Sequence, residues 1–325
     1  MTKTAFVVKA VRPPLQSSFV ADPINDQVER TYEKVRAAFS SQVAAPDGEL
    51  LGVAPHIRVL ALRSPTLPPA THTNCYIVGP VDGPGPLLLV DPGSPYPESQ
   101  QALDAVLQTE IAAGRTPWAV LLTHHHADHT GGVNHLRKRW NLEVLAHPLT
   151  AELTGSRALV TRPISPGVLQ VGDLRAELLH TPGHASGHLC VKVEAANATL
   201  AGDLVAGVGT ILIDPDEGDM TEYLDSLAAL EAAAPGVLLP AHGPAILDGP
   251  GKLRAYRSHR LAREQKIADA LAARGVATAD ELVPMAYADT PAPFWPLAVR
   301  STLAHLKKLE RDGRATCEGQ RFAAR

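Results

Sequence analysis

The chain has 325 residues, of which 45% are hydrophobic and 20% charged, with a formal net charge of −4. That composition excludes a disordered or low-complexity chain and is long enough for two packed domains. Three scattered cysteines, Cys75, Cys190 and Cys317, exclude a disulfide framework or a CxxC metal clip, and they fit free thiols in a reducing compartment.

Taken from the start, the apolar run before Arg12 is only a few residues long, shorter than the apolar region of a signal peptide. No stretch approaches the length of a membrane span. A cytoplasmic protein with no membrane partner is therefore expected. Residues 1–54 read as an N-terminal extension, with a helical spacing of Val28, Tyr32, Val35 and Phe39 between Asp26 and Ser40, then a loop over Ala45 to Gly48. Strands are predicted at Ile57 to Leu62, Cys75 to Val78 and Leu87 to Val90. The turn-rich VDGPGP between the last two predicts a hairpin. Ser99 to Ala112 is an amphipathic helix, Trp118 to Leu122 a short apolar strand, and Gly131 to Trp140 a helix. Strands recur at Glu143 to Ala146, Glu177 to His180, Leu189 to Val193, Ala198 to Leu200 and Val237 to Leu239, with a helix at Met220 to Ala234. Interleaved strands and helices predict a layered α/β domain.

The chain changes character near residue 250. Lys252 to Arg274 is one helical run, Ala279 to Ala286 a second, and Pro296 to Arg311 a third with an apolar stripe at Val299, Leu303, Leu306 and Leu309. Two short extended pieces follow around Asp312 to Gly319. Three helices and a small hairpin are the layout of a winged helix. From Lys252 onward 14 Lys and Arg face 8 Asp and Glu, a net of +6, which leaves −10 for the rest. A basic tail on an acidic body fits an anionic partner, and equally a solvated helical surface.

The chemistry concentrates in Thr123-His124-His125-His126-Ala127-Asp128-His129-Thr130-Gly131-Gly132, which lies between an apolar strand and a helix. Loops at the C-terminal ends of strands are where α/β folds place their sites. A loop need not alternate its side chains, so four imidazole or carboxylate groups in six residues can converge. His124 and His126 form one pair, and Asp128 and His129 another, which suits one pair per metal ion. A surface histidine tract or a tag would lack the flanking strand, the aspartate and the glycines. His184, Asp203 and His242 each follow a predicted strand and complete the set. Nitrogen and carboxylate donors without thiolate suit two zinc ions, and also iron or manganese.

These seven positions resemble the metallo-beta-lactamase superfamily, whose pattern is an HxHxDH loop followed by a distant His, an Asp and a last His. The resemblance implies a four-layered αβ/βα sandwich over residues 55–250 and a small winged-helix domain over 251–325. It implies that His124, His126 and His184 hold one metal, and Asp128, His129 and His242 the other. Asp203 would bridge them, which makes Asp128 and Asp203 the candidate catalytic carboxylates. It also implies that Asp91 supports the ligand loop. His188, four residues beyond His184, is a candidate substrate-facing or supporting group, and equally a packing histidine.

The stretches His72 to Tyr76, Gly202 to Val205, Gly218 to Met220, Ala241 to Pro244, Ser258 to Glu264 and His305 to Glu310 further resemble the subgroup of the mitochondrial beta-lactamase-like endoribonuclease. Three substrate readings follow. Hydrolysis of single-stranded RNA rests on that resemblance and on the basic tail, where Arg300, His305, Lys307 and Lys308 could meet phosphates. Thioester hydrolysis rests on the same seven ligands; an acyl-carrier thioester fits better than a glutathione one, because the tail is not all-helical. A non-catalytic binding protein would be expected to have lost ligands, and none is lost.

Overall fold

The run Leu87-Leu88-Leu89-Val90 is apolar at every position, as a strand covered on both faces must be. The computed structural model describes residues 30–36 and 47–325 and buries all four. The helix expected between Asp26 and Ser40 is seen as helical residues 30–36, here α1; the rest of that expectation and the N-terminal reading before it lie outside the described residues.

The first sheet has seven strands in chain order: β1 (Leu51–Ala54), β2 (Ile57–Arg63), β3 (His72–Val78), β4 (Gly85–Val90), β5 (Arg115–Leu121), β6 (Glu143–Ala146) and β7 (Arg162–Pro163). β1 to β4 pair antiparallel, with Tyr76 opposite Val90 across the predicted hairpin. From β4 onward the pairing is parallel, because helices carry the crossovers. These are α2 (Pro97–Ala112), the short α3 (Ala127–Thr130) with α4 (Val133–Trp140), and α5 (Pro148–Thr154). The second sheet has the order β12-β11-β10-β9-β8, from β8 (Gly167–Val171), β9 (Leu174–His180), β10 (Leu189–Val193), β11 (Ala198–Gly202) and β12 (Val237–Pro240). α6 (Met220–Ala232) joins β11 to its parallel neighbour β12.

Period-two alternation sorts the strand residues into layers. Tyr76, Leu88, Val90 and Leu121 meet Leu178, Val191 and Leu200 between the two sheets. Cys75, Leu89, Val120 and Leu122 point the other way, onto Leu103 and Leu107 of α2 and Leu136 of α4. On the far side, Cys190, Ala201 and Leu238 pack against Tyr223 and Leu227 of α6 and Leu253 of α7 (Gly249–Arg274). The result is helix, sheet, sheet, helix, the four-layered sandwich expected.

The packing crosses both positions at which the sequence suggested boundaries. The sandwich begins before residue 55: β1 pairs with β2, and the Asp47 carboxylate accepts hydrogen bonds from the Arg63 N–H (2.7 Å) and the Ser99 hydroxyl (2.8 Å). The chain does not break near residue 250, where α7 runs unbroken between the two units. Leu253 and Tyr256 pack beneath α6, whereas Ile267 and Leu271 belong to the tail core. That tail contains β13 (Val276–Ala277), α8 (Ala279–Ala286), α9 (Trp295–Arg311), β14 (Ala315–Glu318) and β15 (Arg321–Ala324), the strands ordered β13-β15-β14. Its core closes on Leu282, Leu306, Leu309 and Phe322. The capping box of Thr278 and Glu281 starts α8. Among the described residues no helix is long and apolar enough to cross a membrane.

Candidate metal centre

β4 and β5 are parallel, as are β9, β11 and β12 through the antiparallel β10 between them. Their C-terminal ends open at one edge of the sandwich. There they deliver Asp91, the loop Thr123 to His129, His184, Asp203 and His242, so all seven expected ligands meet at one place.

Two clusters with donor atoms within 4.8 Å of one another are His124, His126 and His184, and Asp128, His129 and His242; His124, His129 and Asp203 form a third group between them, and His125, His126 and Glu217 a fourth at the rim. Asp203 faces the first two. One of its oxygens lies 3.6 Å from His184 Nε2, and the other lies 3.6 Å from His129 Nε2 and 3.4 Å from His242 Nε2.

The hydrogen bonds fix which ring nitrogen looks inward. His126 Nε2–H donates to Glu217 (2.9 Å) and His184 Nδ1–H to the Leu212 carbonyl (2.8 Å). The Thr123 hydroxyl donates to Asp91 (2.6 Å), so its oxygen is left to accept from His124 Nδ1–H (3.0 Å). His129 Nδ1–H donates to Asp91 (2.8 Å), and His242 Nδ1–H to the His72 carbonyl (2.9 Å). In the neutral rings every inward nitrogen is therefore a lone pair. His126 Nδ1 and His184 Nε2 face each other at 3.0 Å, and His124 Nε2 lies 2.9 Å from His126 Nδ1. Lone pairs so close repel unless they share a cation. His129 Nε2 and Asp203 Oδ1 are buried with no hydrogen-bond partner, a cost that a bound ion removes. The donor set fits a pair of metal ions, and it contains no thiolate.

Charge points the same way. Burial pushes the His124 pKa far down, and His129 and His126 push it further. Burial and His126 bring His184 to about 4. In the other cluster burial again disfavours the charged ring, but Asp203 and Asp128 outweigh it and lift His242 to about 10. The carboxylates there set up a negative field that a dication meets favourably.

Supporting groups hold this arrangement. Asp91 adopts the left-handed conformation (φ 54°) and accepts from the Thr123 N–H (2.8 Å), the Thr123 hydroxyl and His129. His188 is wholly buried: it pairs with the Thr181 hydroxyl (2.8 Å), and its Nε2 accepts from the Asp203 N–H (3.0 Å). It backs the Asp203 turn, and it is not among the residues that line the cleft over the clusters. Gly202 in that turn has φ +49°, and a Cβ there would lie 2.6 Å from His188 Nε2.

One group was missed. Glu217 reaches His126 from the loop before α6, three residues from the helix start at Met220. Nothing local in the sequence links it to a histidine 91 positions earlier. The tail cations are a correction. The expectation that Arg300, His305, Lys307 and Lys308 meet phosphates required them to be free. Arg300 instead pairs bidentately with Asp214 and contacts Asp216, and His305 is fully buried beside Glu264. Lys307 donates to the Pro215 carbonyl (3.0 Å), and Lys308 is held by Glu264 and Asp312. The acidic body answers Arg300 and Lys307, and acids of the tail itself answer His305 and Lys308.

A cleft of about 250 Å³ opens over the clusters. Leu67, Val208, Ile211, Leu212 and Leu297 contribute apolar wall, and Tyr32 of α1 closes one side.

Comparison with known proteins agrees with this geometry. Residues 68–242 match the metallo-beta-lactamase superfamily, and residues 278–323 match the beta-lactamase associated winged helix domain. An atrochrysone carboxyl ACP thioesterase of Aspergillus chevalieri is 33% identical over 227 residues, covering 67% of this chain and 69% of its own. A beta-lactamase-like protein 2 homolog of Drosophila melanogaster is 29% identical over 271 residues, covering 79% and 88%. Among solved structures, a beta-lactamase domain protein from Burkholderia ambifaria superposes with a TM-score of 0.76 at 22% identity, covering 88% of this chain and 96% of that one. The family match spans more than half of the chain and includes all seven converging ligands, so the chain belongs to the metallo-beta-lactamase superfamily.

Proposed function

We propose that this chain is a two-metal hydrolase, zinc-loaded, that acts on acyl thioesters. The observation that carries the two-metal reading is Asp203, which turns one oxygen to each of two three-ligand clusters. When bound, ions at such a site supply Lewis acidity and a water whose pKa is lowered toward neutrality. Asp203 holds the two clusters at a common centre. Asp91, Glu217 and the Leu212 carbonyl fix the orientations of His129, His126 and His184, so that in the neutral rings the inward nitrogen is the lone pair. The Asp128 carboxylate lines the cleft, where it would orient an attacking water by accepting its hydrogen bond.

Three features favour a thioester. Leu67, Val208, Ile211, Leu212 and Leu297 give the cleft one apolar wall, which suits an acyl chain. The cations of α9 lie against protein acceptors, which weakens the argument for RNA from the basic tail. The third is the leaving group. Asp128, Asp203 and Glu217 all stay ionised: burial opposes this at Asp128 and Asp203, but the neighbouring histidines outweigh it, and at Glu217 the hydrogen bond from His126 leads. These three carboxylates are therefore poor proton donors, and a thiolate, whose thiol has a pKa of about 8.5, leaves with less need of one than an alkoxide. The thioesterase named among the relatives supports the same class.

The test is a panel of an acyl-carrier or acyl-pantetheine thioester, labelled single-stranded RNA and a lactone, each with chelator and with zinc restored. Thioester turnover that is lost to chelator and recovered with zinc is expected. Metal-dependent RNA cleavage with no thioester turnover would overturn the substrate assignment.

A further inference from the structure

We propose that helix α9 of the winged-helix tail is a clamp that sets the geometry of the first metal cluster, with Arg300 as its main positioning residue. The inference rests on the reading that His124, His126 and His184 bind a metal ion.

A single loop, residues 211–219 between β11 and α6, links the two places. On its inner side it holds two of the three ligands. The Leu212 carbonyl accepts from His184 Nδ1–H at 2.8 Å, and Glu217 accepts from His126 Nε2–H at 2.9 Å. The Asp219 N–H also donates to the Gly183 carbonyl at 2.8 Å, next to His184 in the chain. On its outer side the same loop is gripped by α9. Arg300 binds Asp214 through Nε (2.9 Å) and Nη2 (2.6 Å) and touches Asp216. Lys307 donates to the Pro215 carbonyl at 3.0 Å, and Arg311 holds Asp219. The Gly218 N–H donates to the Asp214 carbonyl at 2.7 Å, so the outer anchor and the Glu217 turn move together.

The Arg300 and Asp214 side chains are 18% and 6% exposed, so this ion pair is largely withdrawn from water. Removing one partner of such a pair strands the other charge and lets its segment move. The second cluster has different supports. His129 is set by Asp91, and His242 by the His72 carbonyl, neither of which the loop provides. A clamp acting through the loop therefore weakens one cluster and spares the other, whereas general destabilisation weakens both. That asymmetry separates a positioning role from a merely structural one.

The experiment measures zinc affinity of the full chain by competition with a chromophoric chelator, in two backgrounds that isolate each cluster. His242→Ala leaves the first cluster intact, and His184→Ala leaves the second. Arg300→Gln is expected to weaken zinc binding about 10- to 100-fold in the His242→Ala background, the usual cost of losing an outer support, and to change it little in the His184→Ala background. Arg300→Lys, which keeps one contact, should recover part of the loss. If Arg300→Gln does not fold, Asp216→Asn removes one arm of the grip at a more exposed position and should show a smaller loss at the same cluster. Equal weakening of both clusters, or none at the first, overturns the proposal. Failure of the wild-type chain to bind zinc would instead overturn the metal reading beneath it.

Discussion

Replacing Asp91 by Asn probes how the site keeps its histidine nitrogens free. The exchange preserves shape, and Asn tolerates the left-handed backbone as Asp does, so no new strain enters at φ 54°. Asp91 Oδ1 accepts the Thr123 N–H, while Oδ2 accepts both the Thr123 hydroxyl and His129 Nδ1–H. In Asn one of these oxygens becomes an NH2. If it stood at the Oδ1 place, it would face the Thr123 N–H donor to donor. The oxygen must therefore stay there, and the amide nitrogen then faces His129. His129 Nδ1 has to become the acceptor, which moves the ring proton to Nε2, the atom aimed at Asp128 and Asp203. The Thr123 hydroxyl can rotate, so the stability cost is about one charge-assisted hydrogen bond, roughly 1.5–3 kcal/mol. The metal cost is larger in proportion, because the ligand tautomer is wrong: about 10- to 100-fold at the second cluster. Urea denaturation gives the first number and chelator competition the second. Unchanged zinc affinity at both clusters would refute the tautomer argument, whatever happened to stability.

Other predictions follow from packing and charge. Gly93→Ala places a Cβ 1.7 Å from the Asp128 carbonyl oxygen, so the ligand loop must shift; a loss on the order of 3 kcal/mol in denaturation and poor zinc retention are expected. Glu110 sits between Arg58 and Arg115 with its side chain 4% exposed, so Glu110→Gln should cost about 3 kcal/mol by urea titration. Burial raises the Glu110 pKa, but hydrogen bonds from Arg115 and Arg58 outweigh it and hold the carboxyl below its ordinary value. Its contribution is then complete above the unfolded pKa of about 4.3 and is lost as pH falls through the lower folded value, so wild type and variant should converge in acid. Neutralising Lys307 and Lys308 together should leave the salt dependence of any RNA binding unchanged, because both are committed to protein acceptors; a slope reduced by about 0.9 per lysine would show that they meet phosphates after all.

The ligand set was legible because most of it is local. Four donors lie within six residues, and His184, Asp203 and His242 each stand just past an apolar strand. The sandwich was legible for a related reason, since the strands that line it, such as Leu87 to Val90, are fully apolar. What escaped were short or half-exposed pieces. β1 (LGVA), β7 (RP) and β8 (GVLQV) have mixed or exposed faces, and their pairing partners, more than their own sequences, make them strands. The direction of the α9 cations escaped for the same reason. Their helical stripe predicts which residues face the tail core, and Leu306 and Leu309 do so. Whether Arg300 meets solvent or Asp214 depends on a loop 86 residues away. Glu217 belongs to that same class of long-range pairing.

The most direct test of the account is the metal content of carefully loaded protein, read as zinc per folded chain by native mass spectrometry, for wild type beside Asp203→Ala. Asp203 is the one ligand that faces both clusters, so wild type should hold two zinc ions, and the variant should hold one or none and lose hydrolysis while staying folded. A firm stoichiometry of one in an active wild-type enzyme, or a variant that keeps two ions and near-wild-type turnover, would contradict it.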